Sequence, residues 1–241
     1  MTRIAVYETS SEGCMIIYDL LGKQYDVELI GADDVESGRL REFDLAVFPG
    51  GHEHLFRARK SMRFSQEVVD YVSSGGRYLG ICGGALLASW LGLGDCRMGY
   101  LRLFPYYVYF KATDSKGKVK IKWVEDNIFG ESGETVMAWV AGPYVLDPGS
   151  LKVEALYWED KPCLPLKGCL AIVSGFHDMG RLVLFGTHPE YPCNSVDNSR
   201  LLFDAVSWLL RKEVVVYVLS LIHISEPTRP RLISYAVFCL K

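Results

Sequence analysis

The sequence predicts an α/β fold built on a doubly wound, mostly parallel sheet, and three observations predict it. Short apolar runs alternate with amphipathic stretches through the first half, the βαβα order of a parallel sheet with helices on both faces. The runs are short and mostly apolar, as strands buried in a parallel sheet are. The fourth run passes through Gly80-Ile81-Cys82-Gly83-Gly84 into a helical stretch, a tight turn at the carboxyl end of a strand, where such sheets bind ligands.

Taken in order, Ile4–Tyr7, Val27–Ile30, Leu45–Phe48 and Tyr78–Ile81 read as buried strands. Between them the spacing predicts a helix over Cys14–Leu21, a brief turn near Asp33–Arg39, and a helix over Ser65–Ser73 with Val68, Val69 and Val72 on its inner face. Ser73-Ser74-Gly75-Gly76 ends that helix. A helix over Gly83–Leu91 follows Cys82. The second half is strand-rich, with strands at Val119–Trp123, Val136–Val140, Val153–Tyr157, Leu170–Val173 and Arg181–Phe185, and turns at Asp147-Pro148-Gly149 and Asp178-Met179-Gly180. A final helix, Asn198–Arg211, carries Leu201, Leu202, Ala205, Val206, Leu209 and Leu210 at helical spacing.

The chain has 241 residues, 49% of them hydrophobic and 23% charged, enough for one well-filled core and short for two. Its formal charge of −3, with no basic stripe, argues against nucleic-acid binding. Met1-Thr2-Arg3 runs straight into the first strand, so no signal peptide is expected; seven cysteines, none paired at metal spacing, point to reduced thiols in a cytoplasm. Residues 219–241 are expected to be a non-native tail. Leu219–Arg229 matches, in one frame, the translation of a transposase-type sequencing adapter, and Ile233–Leu240 that of the flow-cell end. Residues 1–218 are then a single domain, and His223 and Cys239 leave every functional argument. The apolar run 214–224 is too short to span a bilayer, so no membrane partner is expected.

Cys82 is the candidate nucleophile. Gly80, Gly83 and Gly84 around it leave room for a sharp bend and for substrate. About a hundred residues later the apolar run Leu182–Phe185 leads into Gly186-Thr187-His188-Pro189-Glu190. A strand presents residues two apart on one side, so Glu190 can hold one ring nitrogen of His188 while the other takes the Cys82 proton. A cysteine at a helix N-terminus beside an imidazolium is activated as the thiolate. Pro49-Gly50-Gly51 ends the third strand, and the amides of Gly51 and Gly83 are the expected oxyanion donors. This chemistry requires neither a metal nor an organic cofactor. No Gly-x-x-x-x-Gly-Lys-Ser/Thr loop and no Gly-x-Gly-x-x-Gly opening a helix is present to bind a nucleotide.

In series, Phe48-Pro49-Gly50-Gly51, Gly75–Ala85, Lys120-Ile121-Lys122-Trp123, Ala141-Gly142-Pro143-Tyr144-Val145 and Gly186–Tyr191 resemble the class I glutamine amidotransferase-like superfamily. Within it the closest likeness is to the biotin–protein ligase N-terminal domain family, over residues 1 to about 212. The resemblance implies a Rossmann-like (flavodoxin-like) sheet and a Cys-His-Glu triad at Cys82, His188 and Glu190. It also implies a pocket lined by Gly50, His52, Gly84, Leu86, Gly142, Pro143 and Tyr144. It implies no biotinylation, since no ligase module follows. Glutaminase domains carry a Gln four residues after the nucleophile; Leu86 stands there and cannot bind the amide.

The resulting expectation is Cys-centred hydrolysis or acyl transfer on an amide-type small molecule, with a synthetase or ligase as partner if ammonia is passed on. The alternative is a non-catalytic ligand-binding or regulatory module, which Leu86 favours; a deglycase or intracellular-protease-like hydrolase ranks third. His52-Glu53-His54 is expected to be a solvated loop over the pocket rather than a metal site, and the aromatic run Tyr106–Phe110 core or pocket wall.

Overall fold

A computed structural model describes residues 2–99, 117–140, 142–161, 165–193 and 196–211. Residues 1–210 make one compact unit; residues 212–241, with the expected adapter-derived tail, and the run Tyr106–Phe110 lie outside the described residues. In chain order come β1 (Arg3–Tyr7), α1 (Glu12–Leu21), β2 (Asp26–Ile30), α2 (Ala32–Glu36), β3 (Leu45–Phe48), α3 (Glu53–Lys60), α4 (Met62–Ser73), β4 (Arg77–Ile81) and α5 (Gly83–Trp90). There follow β5 (Arg97–Gly99), β6 (Gly117–Trp123), β7 (Glu134–Trp139), β8 (Tyr144–Asp147), β9 (Lys152–Tyr157), β10 (Leu170–His177), β11 (Gly180–Phe185) and α6 (Ser199–Leu210).

The chain has the doubly wound α/β fold. Its parallel part runs β2-β1-β3-β4-β11, the flavodoxin-like order in which the winding reverses between β1 and β3. The strand-rich second half continues the sheet antiparallel through β10, β9, β6 and β7, with β8 and β5 paired off this path. Alternate residues of each central strand feed two cores. Ile4, Val6, Leu79 and Ile81 face α1 and α6; Ala5, Tyr7, Ala46 and Phe48 face α2, α4 and α5. Continuous burial on both faces is why the sequence shows unbroken apolar runs there.

Two helix starts, those of α1 and α4, follow hydroxyl caps. Ser11 caps α1 by accepting from the Cys14 amide at 3.3 Å, and Ser61 caps α4 by accepting from Phe64 at 3.2 Å. The Ser61 cap starts α4 earlier than its apolar stripe alone predicts. Residues 53–60 correct the sequence reading: they form α3 rather than a solvated loop, and His54 is wholly buried. The helix was hidden because only His54 and Leu55 are buried in it, while Phe56 is exposed and the rest of the segment is largely charged. The short strands β5 and β8 were also unforeseen, being too brief to show a period.

Candidate active site at the carboxyl edge of the sheet

Strand ends build this edge. β3 delivers Pro49-Gly50-Gly51, β4 delivers Cys82, and β11 leads to His188 and Glu190. Parallel pairing of β4 with β11 sets Gly80 against Leu184 and Ile81 against Phe185, so residues a hundred positions apart leave the sheet side by side.

Cys82 has φ 51° and ψ −105°. A non-glycine residue held in such a conformation costs about 1–3 kcal/mol and persists only where its surroundings enforce it. Here Cys82 N–H donates to Phe185 O at 2.8 Å, and Leu86 N–H donates to Cys82 O at 3.1 Å. Gly84 N–H donates to Pro49 O at 3.2 Å and Tyr78 Oη to Gly84 O at 2.7 Å. Gly84 packs so tightly on Phe48 O, and Gly83 on Gly51 O, that a Cβ at either would overlap that carbonyl. The bend therefore lifts the half-buried Cys82 side chain above the sheet, with Sγ 4.0 Å from Val140 O.

His188 and Glu190 meet, but not as a strand would arrange them. β11 ends at Phe185; His188 forms an isolated bridge to Ala138, its N–H donating to Ala138 O at 2.9 Å, and Pro189-Glu190 is a turn. The turn folds the Glu190 carboxylate back so that His188 Nδ1 donates to Oε1 at 2.8 Å. Nδ1 thus carries a proton, and Nε2, also buried, has no geometrically sound hydrogen bond among the described residues. The ring stands over Gly50 next to the elbow: a Cβ built on Gly50 would lie 2.9 Å from His188 Cε1 and 3.7 Å from Cys82 Cβ. Burial opposes a charge on the imidazole. The Glu190 carboxylate and the Cys82 sulfur outweigh it, and His188 is held protonated well above the ordinary imidazole range.

Gly51 and Gly83 lie against each other, with Gly51 N 3.2 Å from where a Gly83 Cβ would be. Gly83 opens α5, so its amide has no intrahelical acceptor, and neither amide donates to any acceptor among the described residues. Two free donors beside a thiol are what a developing oxyanion requires.

The remaining expected pocket residues divide. Gly142 packs against Gly186, two residues before His188, and Pro143 O accepts from Tyr157 Oη at 2.9 Å. His52 is exposed at the start of α3. Leu86, only 6% exposed, joins the apolar core with Ala85 and Leu87, and Tyr144 packs on the opposite core. His52 and His54 do not converge, one being exposed and the other buried between Tyr7 and Phe48.

Four supporting residues were not anticipated. Gly13, in the first turn of α1, leaves space for the carboxylate: a Cβ there would stand 2.6 Å from Glu190 Oε1. Thr9 and Ser11 both donate to Gly50 O, at 3.0 and 2.9 Å. Glu53 accepts from Ser10 N at 2.8 Å and from His52 N at 2.9 Å. Burial resists that charge, but the Ser10 hydroxyl and these amides prevail and bring the carboxyl down to about 2. The available signal was the hydroxyl run Thr9-Ser10-Ser11 directly after a ligand-edge strand.

Strand order and this edge define a class I glutamine amidotransferase-like fold, a mixed α/β class shared with solved structures. PurLQS from Thermotoga maritima has a TM-score of 0.62 at 16% identity, over 86% of this chain and 99% of that one. A protein from Thermoplasma acidophilum assigned to GMP synthase, as one of its subunits, has a TM-score of 0.59 at 16% identity, over 86% and 96%. The β-galactosidase of Bacillus circulans sp. alkalophilus has a TM-score of 0.54 at 13% identity, over 86% of this chain but 31% of that longer one. At such identities the likeness is one of fold.

In sequence, residues 5–91 match the family model of the biotin–protein ligase N-terminal region. That span holds the Pro-Gly-Gly loop and the Cys82 elbow. No curated protein matches the chain, and no helix of the described residues is long and apolar enough to cross a membrane.

Proposed function

We propose that the protein is a Cys-dependent hydrolase or acyl transferase acting on an amide-type small molecule. The observation that carries this reading is the buried His188–Glu190 pair, 2.8 Å between Nδ1 and Oε1, held over Gly50 beside a strained Cys82. Cys82 Sγ attacks the carbonyl carbon; a C–S bond forms and the π pair moves onto oxygen. The Gly51 and Gly83 amides stabilise that oxyanion. Its collapse breaks the C–N bond, His188 gives its proton to the leaving amine, and water, deprotonated by His188, then hydrolyses the thioester. Glu190 keeps the imidazole oriented and favours its charged form.

The solved neighbours include a protein assigned to GMP synthase and PurLQS, which supports a synthetase or ligase as the acceptor of released ammonia. Leu86, drawn into the core, offers no polar group to a glutamine amide. It favours a second reading, a ligand-binding module on the same fold. Iodoacetamide at neutral pH tests the choice. The first reading expects one fast-labelling thiol, Cys82, slowed at least tenfold in His188→Ala. Cys82 labelling no faster than the other cysteines, and unchanged in His188→Ala, would leave the binding module. Ammonia release from glutamine, alone and with a candidate synthetase, decides whether glutamine is the substrate.

A further inference from the structure

The Gly50–Gly51 peptide, which carries one of the two free amides, is gripped from below by hydroxyls that no part of the sequence reading used. Thr9, two residues past β1, and Ser11, the cap of α1, both donate to Gly50 O, at 3.0 and 2.9 Å, and their own oxygens lie 2.9 Å apart. Thr9 is nine-tenths buried. The neighbouring Ser10 is tied to the other side of the same loop, its amide donating to Glu53 Oε1 while Glu53 Oε2 accepts from His52 N–H. The loops after β1 and β3 are thus latched on both sides of Gly51.

In a trans peptide the C=O and the following N–H point in opposite directions. Holding the Gly50 carbonyl down onto Thr9 and Ser11 therefore turns the Gly51 N–H up and away from them. Gly51 has φ +129°, a conformation in which glycine tolerates many peptide orientations, so the chain itself does not choose the direction of that N–H. We infer that Thr9 and Ser11 are positioning residues that fix the Gly51 amide as an oxyanion donor. They set the direction of the donor without touching substrate. The inference rests on the reading of Cys82 as a nucleophile toward carbonyl carbon.

Two reactions of the same thiol separate its parts. Iodoacetamide alkylates sulfur by displacing iodide and forms no oxyanion. p-Nitrophenyl acetate is attacked at its carbonyl: the C–S bond forms, the π pair passes through an oxyanion, and the C–O bond breaks to release p-nitrophenolate. Losing one oxyanion donor slows acyl chemistry about 10²–10³-fold in well-characterised hydrolases, and a donor left free to turn should lose at least tenfold. The expected result is that Thr9→Val and Thr9→Val/Ser11→Ala slow the Cys82-dependent p-nitrophenolate burst at least tenfold, with iodoacetamide labelling changed less than twofold. Thr9→Ser, which keeps the hydroxyl, should restore the burst.

A burst unaffected by Thr9→Val/Ser11→Ala overturns the inference alone. So does a parallel fall in both reactions, which would mark mere damage to the fold. A wild-type burst that persists in Cys82→Ala, or no burst at all, overturns the proposed function and this inference with it.

Discussion

His54 offers a quantitative test of how tightly the layer beneath the site is closed. Its imidazole is wholly buried, edge-on to Tyr7 and Phe48, and neither ring nitrogen has a geometrically sound hydrogen bond among the described residues. Burial pushes its pKa from 6.5 down to about 4, with the nearby Gly83 backbone and Glu53 charge recovering only part of that. Between these values the unfolded chain binds a proton that the folded chain does not, so stability must fall as pH falls from about 7 to about 4. One pKa unit is worth about 1.36 kcal/mol, so the full loss is about 3 kcal/mol, roughly 2 of which is spent between pH 7 and 5.

Other groups are common to both proteins and cancel when wild type is compared with His54→Leu; in that interval His188 offsets about 1 kcal/mol of the loss. His188, its pKa raised, is protonated there in the folded state. Its contribution is full below the unfolded imidazole value and is lost only as pH rises through its raised folded value. Glu53, brought down to about 2, loses its contribution only as pH falls from about 4.5 toward that value. Urea unfolding followed by tryptophan fluorescence at pH 7 and pH 5 measures the difference. His54→Leu, which fills the same apolar space, should reduce the acid-induced loss by about 2 kcal/mol relative to wild type. An equal loss in both proteins would refute the depressed imidazole.

Further outcomes follow from the site. Glu190→Gln keeps an acceptor for Nδ1 but removes the charge that raises the His188 pKa, so the imidazole should lose its proton at lower pH. NMR titration of the His188 ring should move toward the ordinary imidazole range in the variant, and an unmoved titration would refute the pairing. Gly13→Ala would press on Glu190 Oε1, which a Cβ there approaches to 2.6 Å; labelling of Cys82 should slow several-fold while far-UV circular dichroism is unchanged. Ser61→Ala removes the cap of α4 and should lower stability by about 1 kcal/mol in urea, with Cys82 labelling unaffected.

What was legible in the sequence was what depends on neighbours along the chain. The apolar runs announced β1, β3 and β4 because strands covered on both faces need apolar residues throughout, whereas β2, expected to be buried, is the partly exposed edge strand with Glu28 in it. The glycines around Cys82 announced a bend because only small residues allow carbonyls of another strand to approach so closely. α3 was not legible, since a helix that buries two residues in eight has no stripe. His188 and Glu190 were recognisable by type and spacing, yet the expected strand geometry was replaced by a turn that brings carboxylate and imidazole into contact.

The chain by itself determined which chemical groups exist and in what order: a thiol in a glycine bend, an imidazole and a carboxylate two apart, and a glycine loop after the third strand. Only the tertiary structure decided that they meet. Pairing of β11 with β4 and of β1 with β3 is a choice among sheet orders, governed by how both cores fill, and no local pattern encodes it. The Thr9 and Ser11 grip on Gly50 spans 41 and 39 residues; such a contact exists only once the strand order has set the two loops side by side.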